Sequence, residues 1–152
     1  SRKDRADSRS SAVKIAQGSG RSIEPPAHVP LDACDWPFWE SVIAEFARAE
    51  WTSHQLELAA MLARTMANLE SEQRSLRAEG FTSVSQKGTP VANPRSTVCK
   101  GLAGDILSIR RSLALHARAR SGDNRDAAKQ RDVGRGLEVS LDDDLIARPR
   151  LQ

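Results

Sequence analysis

The arginines and lysines of this 152-residue chain are the side chains that invite a chemical reading, because of where they fall. Arg110-Arg111 end an apolar run, Arg118 and Arg120 follow closely, and Lys87 and Arg95 bracket a short polar segment. Arg2, Lys3, Arg5, Arg9 and Lys14 crowd the first stretch. Clustered cations bind a polyanion such as nucleic acid through counterion release, and base contacts or duplex shape must supply any specificity. The net charge of +3 conceals a segregation. Residues 1–30 hold six basic against three acidic side chains, 31–80 four against nine, 81–125 eight against two, and the remainder five against six. Such neighbours favour pairing within or between chains and leave cationic surface over. The competing role for Arg110 and Arg111 is pairing with Glu70 or Glu72, although exposed pairs contribute only about 0–1 kcal/mol.

Other chemistry lacks its residues. No Gly-x-x-x-x-Gly-Lys-Ser/Thr phosphate loop is present, so nucleotide turnover has no support. Asp142-Asp143-Asp144 are consecutive and point in different directions, a poor metal site. Cys34 and Cys99 with His28, His54 and His116 make no metal-ligand spacing, and the thiols are expected reduced and buried. No nucleophile–base pair can be named. The expectation is a protein that is not an enzyme, with no catalytic residue, no metal and no cofactor. No apolar run approaches the roughly 20 residues that span a bilayer, so a soluble intracellular protein is expected.

The elements that would position these cations follow from periodicity. Asp35 can cap a helix over Asp35–Arg48, with Trp39, Val42, Ile43 and Phe46 on one face. Thr52-Ser53-His54-Gln55 has the form of a capping box and opens a long helix, Thr52–Glu79. Its stripe is Ala59, Leu62, Met66, Leu69, Gln73 and Leu76, and Gly80 ends it. Thr82–Ser85 and Thr89–Val91 flank Gln86-Lys87-Gly88 as a hairpin within 81–91. Alone it is too small to be stable, so helices or neighbouring hairpins must support it. After the Asn93-Pro94 break, a third helix over Arg95–Arg118 carries Val98, Leu102, Ile106, Ile109 and Leu113. Gly101 and Gly104 suggest close approach of another helix. The fold class expected is all-α with one small β-hairpin: a short N-terminal helix and a long antiparallel helical pair. Residues 1–34 form a flexible basic arm, 35–120 the core and 121–152 a flexible tail with one weak helix over Asn124–Val133.

The core is thin for this length, and burial between subunits is a natural remedy. Leu62, Met66, Leu69 and Leu76 of the second helix and Leu102, Ile106, Ile109 and Leu113 of the third are the expected oligomerisation residues. Unlike faces on the two helices would make head-to-tail contacts that close as a ring.

In order and spacing, several motifs resemble the small terminase subunits of tailed bacteriophages. They are Phe38-Trp39-Glu40-Ser41-Val42-Ile43, Trp51-Thr52-Ser53, Glu79-Gly80, Lys87-Gly88, Asn93-Pro94-Arg95, Leu113-Ala114-Leu115 and Ala117-Arg118-Ala119-Arg120. The match covers about residues 36–120. Family members often place a Thr-Pro-Ser turn before the final Ala-Arg pair, whereas His116 here follows Leu115 directly, so the third helix is expected to run on. The resemblance implies a homo-oligomeric ring, a nonamer being one candidate, in the bacterial host's cytoplasm. That ring would recognise double-stranded viral DNA and pass it to the large terminase subunit. DNA contact is then expected at Arg2, Lys3, Arg5, Arg9, Lys14, Lys87, Arg95, Arg110 and Arg111. The acidic-apolar tail is suited to folding on a partner, through Leu141, Leu145 and Ile146. The large subunit is the partner that the resemblance implies, and a strap on a neighbouring subunit is the alternative. Two other functions compete: a helical adaptor that binds protein only, and a helix-turn-helix regulator built on Trp39–Arg48 and Thr52–Ala63.

Overall fold

A computed structural model of the chain describes residues 9–115 and 125–146. Among these residues the chain is mostly helical, with one two-stranded antiparallel sheet. The order is α1 (Arg9–Ser19), α2 (Trp36–Ile43), a 3-10 turn (Arg48–Glu50), α3 (Ser53–Glu79), β1 (Thr82–Val84), β2 (Pro90–Ala92), α4 (Arg95–Ser112) and α5 (Arg125–Ile146). The described residues divide into two compact units. One gathers α1, the 43–53 segment with the 3-10 turn, and α5; the other holds 25–42 and 54–115.

The unit built on α3 owes its core to a broad face of small residues. Leu56, Ala59, Ala60, Leu62, Ala63, Ala67 and Leu76 are buried along α3, with Val29, Trp39, Val42, Cys99, Leu113 and Leu115 from the rest of the unit. Ala and Leu are strong helix formers, so propensity and burial agree here. α3 stops where Gly80, at φ +90°, donates its N–H to the Leu76 carbonyl at 2.8 Å. The strands pair Thr82 with Ala92, Ser83 with Val91 and Val84 with Pro90, so the hairpin forms where expected and reaches one residue past 81–91.

α4 ends sooner than expected. Ala114 takes φ +57°, its N–H bonds the Arg111 carbonyl at 3.0 Å, and the Leu115 N–H bonds the Arg110 carbonyl at 2.8 Å. That is a Schellman stop, with alanine where glycine normally sits, and burial of Leu113 and Leu115 holds it. The helix does not run on to Arg118, which itself lies outside the described residues. α2 is also shorter than Asp35–Arg48. Its last carbonyls find side-chain donors instead of a further turn: Trp51 Nε1 bonds the Ile43 carbonyl at 3.3 Å, and Arg135 Nη2 the Ala44 carbonyl at 2.7 Å.

The described parts of both end segments are helical. Residues 9–19 are helical, with Ser11, Ile15 and Ser19 buried at i, i+4 and i+8, and α1 packs with the 3-10 turn and α5. Serines on the buried stripe hide it from a search for apolar periodicity. α5 runs unbroken through Gly134 and Gly136, where a loosened chain was expected. A Cβ at Gly134 would lie 3.1 Å from the Ala47 Cβ and 3.7 Å from Ile15, so a close approach explains that glycine. Cys99 is buried as expected, but Cys34 is exposed, and both are free thiols. The Cys34 thiol faces Asp35 Oδ1 at 3.6 Å; desolvation, then this acidic neighbour, push it up.

Candidate nucleic-acid interface

Lys87 and Arg95 are positioned by the hairpin and its base. Asn93, buried, saturates its polar groups there. Its N–H bonds the Phe81 carbonyl at 2.9 Å, and Nδ2 donates to Glu79 Oε2 and to the Gly80 carbonyl, each at 3.0 Å. Its Oδ1 accepts the Arg95 N–H at 3.0 Å. Because Pro94 already has helical angles, φ −56° and ψ −28°, Asn93 caps α4 and Pro94 fills the first helical position. Arg95 closes the knot: Nη1 lies 2.6 Å from Glu72 and Nε 3.0 Å from Glu79. Hydrogen bonds from Asn93 and then Arg95 hold the Glu79 carboxyl below its ordinary value. Arg95 therefore anchors α4 to the end of α3, whereas Lys87 is exposed in the connection between the strands.

Arg110 and Arg111 occupy the last turn of α4, where the helix dipole favours positive charge. Both are exposed. Glu70 pairs with Arg74 and Glu72 with Arg95, so the alternative pairing of Arg110 or Arg111 with these carboxylates does not occur. Lys87, Lys100, Arg110 and Arg111 form no ion pair among the described residues. Fifteen residues of helix, about 23 Å at 1.5 Å per residue, separate Arg95 from Arg110, so the two ends of α4 form separate patches. Arg9 and Lys14 are exposed on α1; Arg2, Lys3 and Arg5 lie outside the described residues.

The expected oligomerisation stripe is unevenly covered. Leu62, Leu76 and Leu113 are buried within the chain's own core, and Met66, Leu69, Leu102, Ile106 and Ile109 are half-buried. Apolar surface lies elsewhere, at Met61, Val98 and Leu107 on the helices and Phe81, Val84 and Val91 on the hairpin. Gly101 and Gly104 have open space where a Cβ would stand, so among the described residues no helix makes the close approach expected there. On α5, Val133, Leu137, Val139 and Leu141 are exposed, and Leu145 and Ile146 end the helix.

Sequence reasoning missed a second set of charged residues, in the unit made from the chain ends. Arg131 forks onto Glu50, both contacts 2.8 Å, and its guanidinium lies 4.7 Å from the centroid of Phe46, which meets Trp51 edge-on at 5.2 Å. Arg48 forks onto Asp142 at 2.8 and 3.2 Å, and the Arg48 backbone N–H donates to Glu138. Gln130 donates to Ser11 at 3.1 Å and Ser19 to the Gly134 carbonyl at 3.4 Å. No sequence spacing signals pairs some 80–120 residues apart (|i−j| 81, 94 and 119). By contrast, Asn93-Pro94 is visible in the sequence as a break before a helical pattern, although not as a cap.

Among the described residues, no group of three or more His, Cys, Asp or Glu could hold a metal ion, and no helix is long and apolar enough to cross a membrane. The model of the Hendrixvirinae small terminase family matches residues 1–152, so the similarity takes in both ends and not only 36–120. The chain is 28% identical over 153 residues to "Terminase, small subunit" of Enterobacteria phage HK97, covering 96% of this chain and 95% of that protein.

Proposed function

We propose, for a chain that belongs to the Hendrixvirinae small terminase family, that it is the DNA-recognition subunit of a phage genome-packaging motor. The family match along the whole chain carries this proposal. In it, identical subunits close into a ring through α3, α4 and the hairpin, with the two long helices as an antiparallel pair. The ring binds double-stranded viral DNA and delivers it to the large terminase subunit in the host cytoplasm. Arg110 and Arg111 are the best-supported phosphate contacts, being exposed and without an ion pair among the described residues. Lys87, Arg9 and Lys14 join them, with Arg2, Lys3 and Arg5 ahead of α1. Arg95 contributes by holding α4 in place, since its guanidinium is engaged by Glu72 and Glu79. The apolar face of α5 at Val133, Leu137 and Leu141 suits the large subunit as partner.

Two measurements test this. Purified protein should bind packaging-site DNA more tightly than a scrambled duplex, with both affinities falling as salt rises. Neutralising Arg110 and Arg111 together should lower the salt slope by about two units, roughly one per phosphate contact. Absence of binding to either duplex at low salt favours the protein-only adaptor. Light scattering should give a mass several times the 16.6 kDa of one chain; a monomer at micromolar concentration removes the ring.

A further inference from the structure

Arg48 lies in the turn that α1 and α5 enclose, and its guanidinium is held as an anion site would hold it. Nη2 meets Asp142 Oδ2 at 2.8 Å and Nη1 meets Oδ1 at 3.2 Å, the two-pronged geometry with which arginine also grips phosphate. A backbone carbonyl, that of Ser19, accepts from Nη1 at 3.4 Å and fixes the fork from behind. The neighbouring Arg48 N–H donates to Glu138, so two acidic side chains of α5, one turn apart, converge on this residue. Neither is locked in: the Arg48 side chain is 31% exposed and Asp142 51%. An exposed pair of this kind exchanges readily for another anion.

The rest of the α5 docking surface is of the same kind. Arg131 on Glu50, Arg135 on the Ala44 and Glu45 carbonyls and Gln130 on Ser11 are polar contacts, and among the described residues the buried apolar side chains of the unit are Ile15, Ala47 and Trp51. A helix held mainly by exchangeable polar contacts can leave without exposing a large apolar core.

We propose that Arg48 is a phosphodiester-binding site that α5 covers, with the Asp142 carboxylate standing where a backbone phosphate of DNA binds. The inference rests on the DNA-binding function proposed above and adds to it a contact that the closed unit masks. DNA entering this site displaces the acidic end of α5, which couples DNA binding at the chain-end unit to release of its C-terminal helix.

A double-mutant cycle on the full-length chain tests it, with a non-specific DNA duplex as probe. Asp142→Asn should tighten binding about three- to fivefold, the factor released on breaking one exposed ion pair. Asp143→Asn removes the same charge from the same helix at a position with no ion pair among the described residues, and should change affinity less than Asp142→Asn. In an Arg48→Gln background the gain from Asp142→Asn should vanish. Equal gains from Asp142→Asn and Asp143→Asn, or a gain that survives Arg48→Gln, overturn the proposal, because general charge then explains the effect. Binding by Asp142→Asn but not by the native chain supports a fully closed mask. Binding by neither overturns both this inference and the DNA-binding function, whereas native binding without the cycle's coupling overturns this inference alone. As a readout independent of substitution, DNA should raise hydrogen exchange at 138–142 in the native protein while 59–67 stays protected; unchanged exchange at 138–142 counts against displacement.

Discussion

The two units hold together by different means. The unit on α3 buries a run of alanines and leucines on one long helix, and its polar contacts, at the hairpin base and at surface pairs such as Arg74–Glu70 and His28–Glu57, lie around that core. The chain-end unit buries, among its described residues, the apolar side chains of Ile15, Ala47 and Trp51, and it relies on forked ion pairs and glycines that allow close approach. Apolar burial is insensitive to salt and moderate pH, whereas exposed ion pairs are screened and titrate. One sequence thus carries a region suited to permanence and a region suited to exchange.

Substitutions can break this contrast, and the largest effect belongs to the apolar unit. Leu62→Ala removes a side chain 1% exposed, and should destabilise by about 2–5 kcal/mol in denaturant titration. A loss below about 1 kcal/mol would mean that α3 is not the cohesive element. Gly18→Ala probes the other unit. The new Cβ would fall on Ala49, with the Ala49 Cα at 2.6 Å, so backbone must move. The expected loss is about 1–3 kcal/mol, with exchange protection falling in α1 and α5 and persisting in α3. Uniform loss along the chain would make the two units one cooperative body.

Ala114 offers a smaller change of opposite sign. Its φ of +57° is comfortable for glycine and strained for alanine. Ala114→Gly should therefore raise stability by about 0.5–1 kcal/mol, less whatever the freer unfolded chain takes back. A drop in melting temperature would show that the α4 stop is not under strain.

That stop marks the limit of what the sequence discloses. α3, the hairpin and the Asn93-Pro94 break are legible because periodicity, turn residues and capping act within a few positions. Alanine at a left-handed stop sends no such signal, so the end of α4 was placed too far along. α1 is hidden because two of its three buried stripe positions are serines, and the run of α5 past the weak helix expected over Asn124–Val133 because its partners lie in segments distant along the chain. The same holds for the cations. Exposure of Arg110 and Arg111 fits a run of charge at a helix end, whereas capture of Arg95 by Glu72 and Glu79 depends on how the hairpin folds back. Arg48, alone in an acidic stretch, had nothing to distinguish it.

Acid should sharpen the contrast most finely. Hydrogen bonding from Arg48 holds the Asp142 carboxyl below its ordinary value, and Asn93 and then Arg95 do the same for Glu79. A carboxyl with a depressed folded pKa contributes stability that is fully present above its unfolded value. That contribution declines as the pH drops below the unfolded value and is gone once the pH has passed through the folded one. The window therefore opens near pH 4 and extends below it. Within it, the chain-end unit loses the Arg48–Asp142 pair, one of the contacts that seat α5. The other unit loses Arg95–Glu79 and loosens only at the hairpin base, because Ala59, Ala60, Leu62 and Ala63 have nothing to titrate. Protection factors at pH 5.5 and 3.5 should thus fall at 138–142, fall less at 79–95, and hold at 59–67. High salt at neutral pH should reproduce that order weakly, since screening acts on the same exposed pairs. Equal loss in α3 and α5 would mean that carboxylates, and not buried alanine and leucine, set the stability of both.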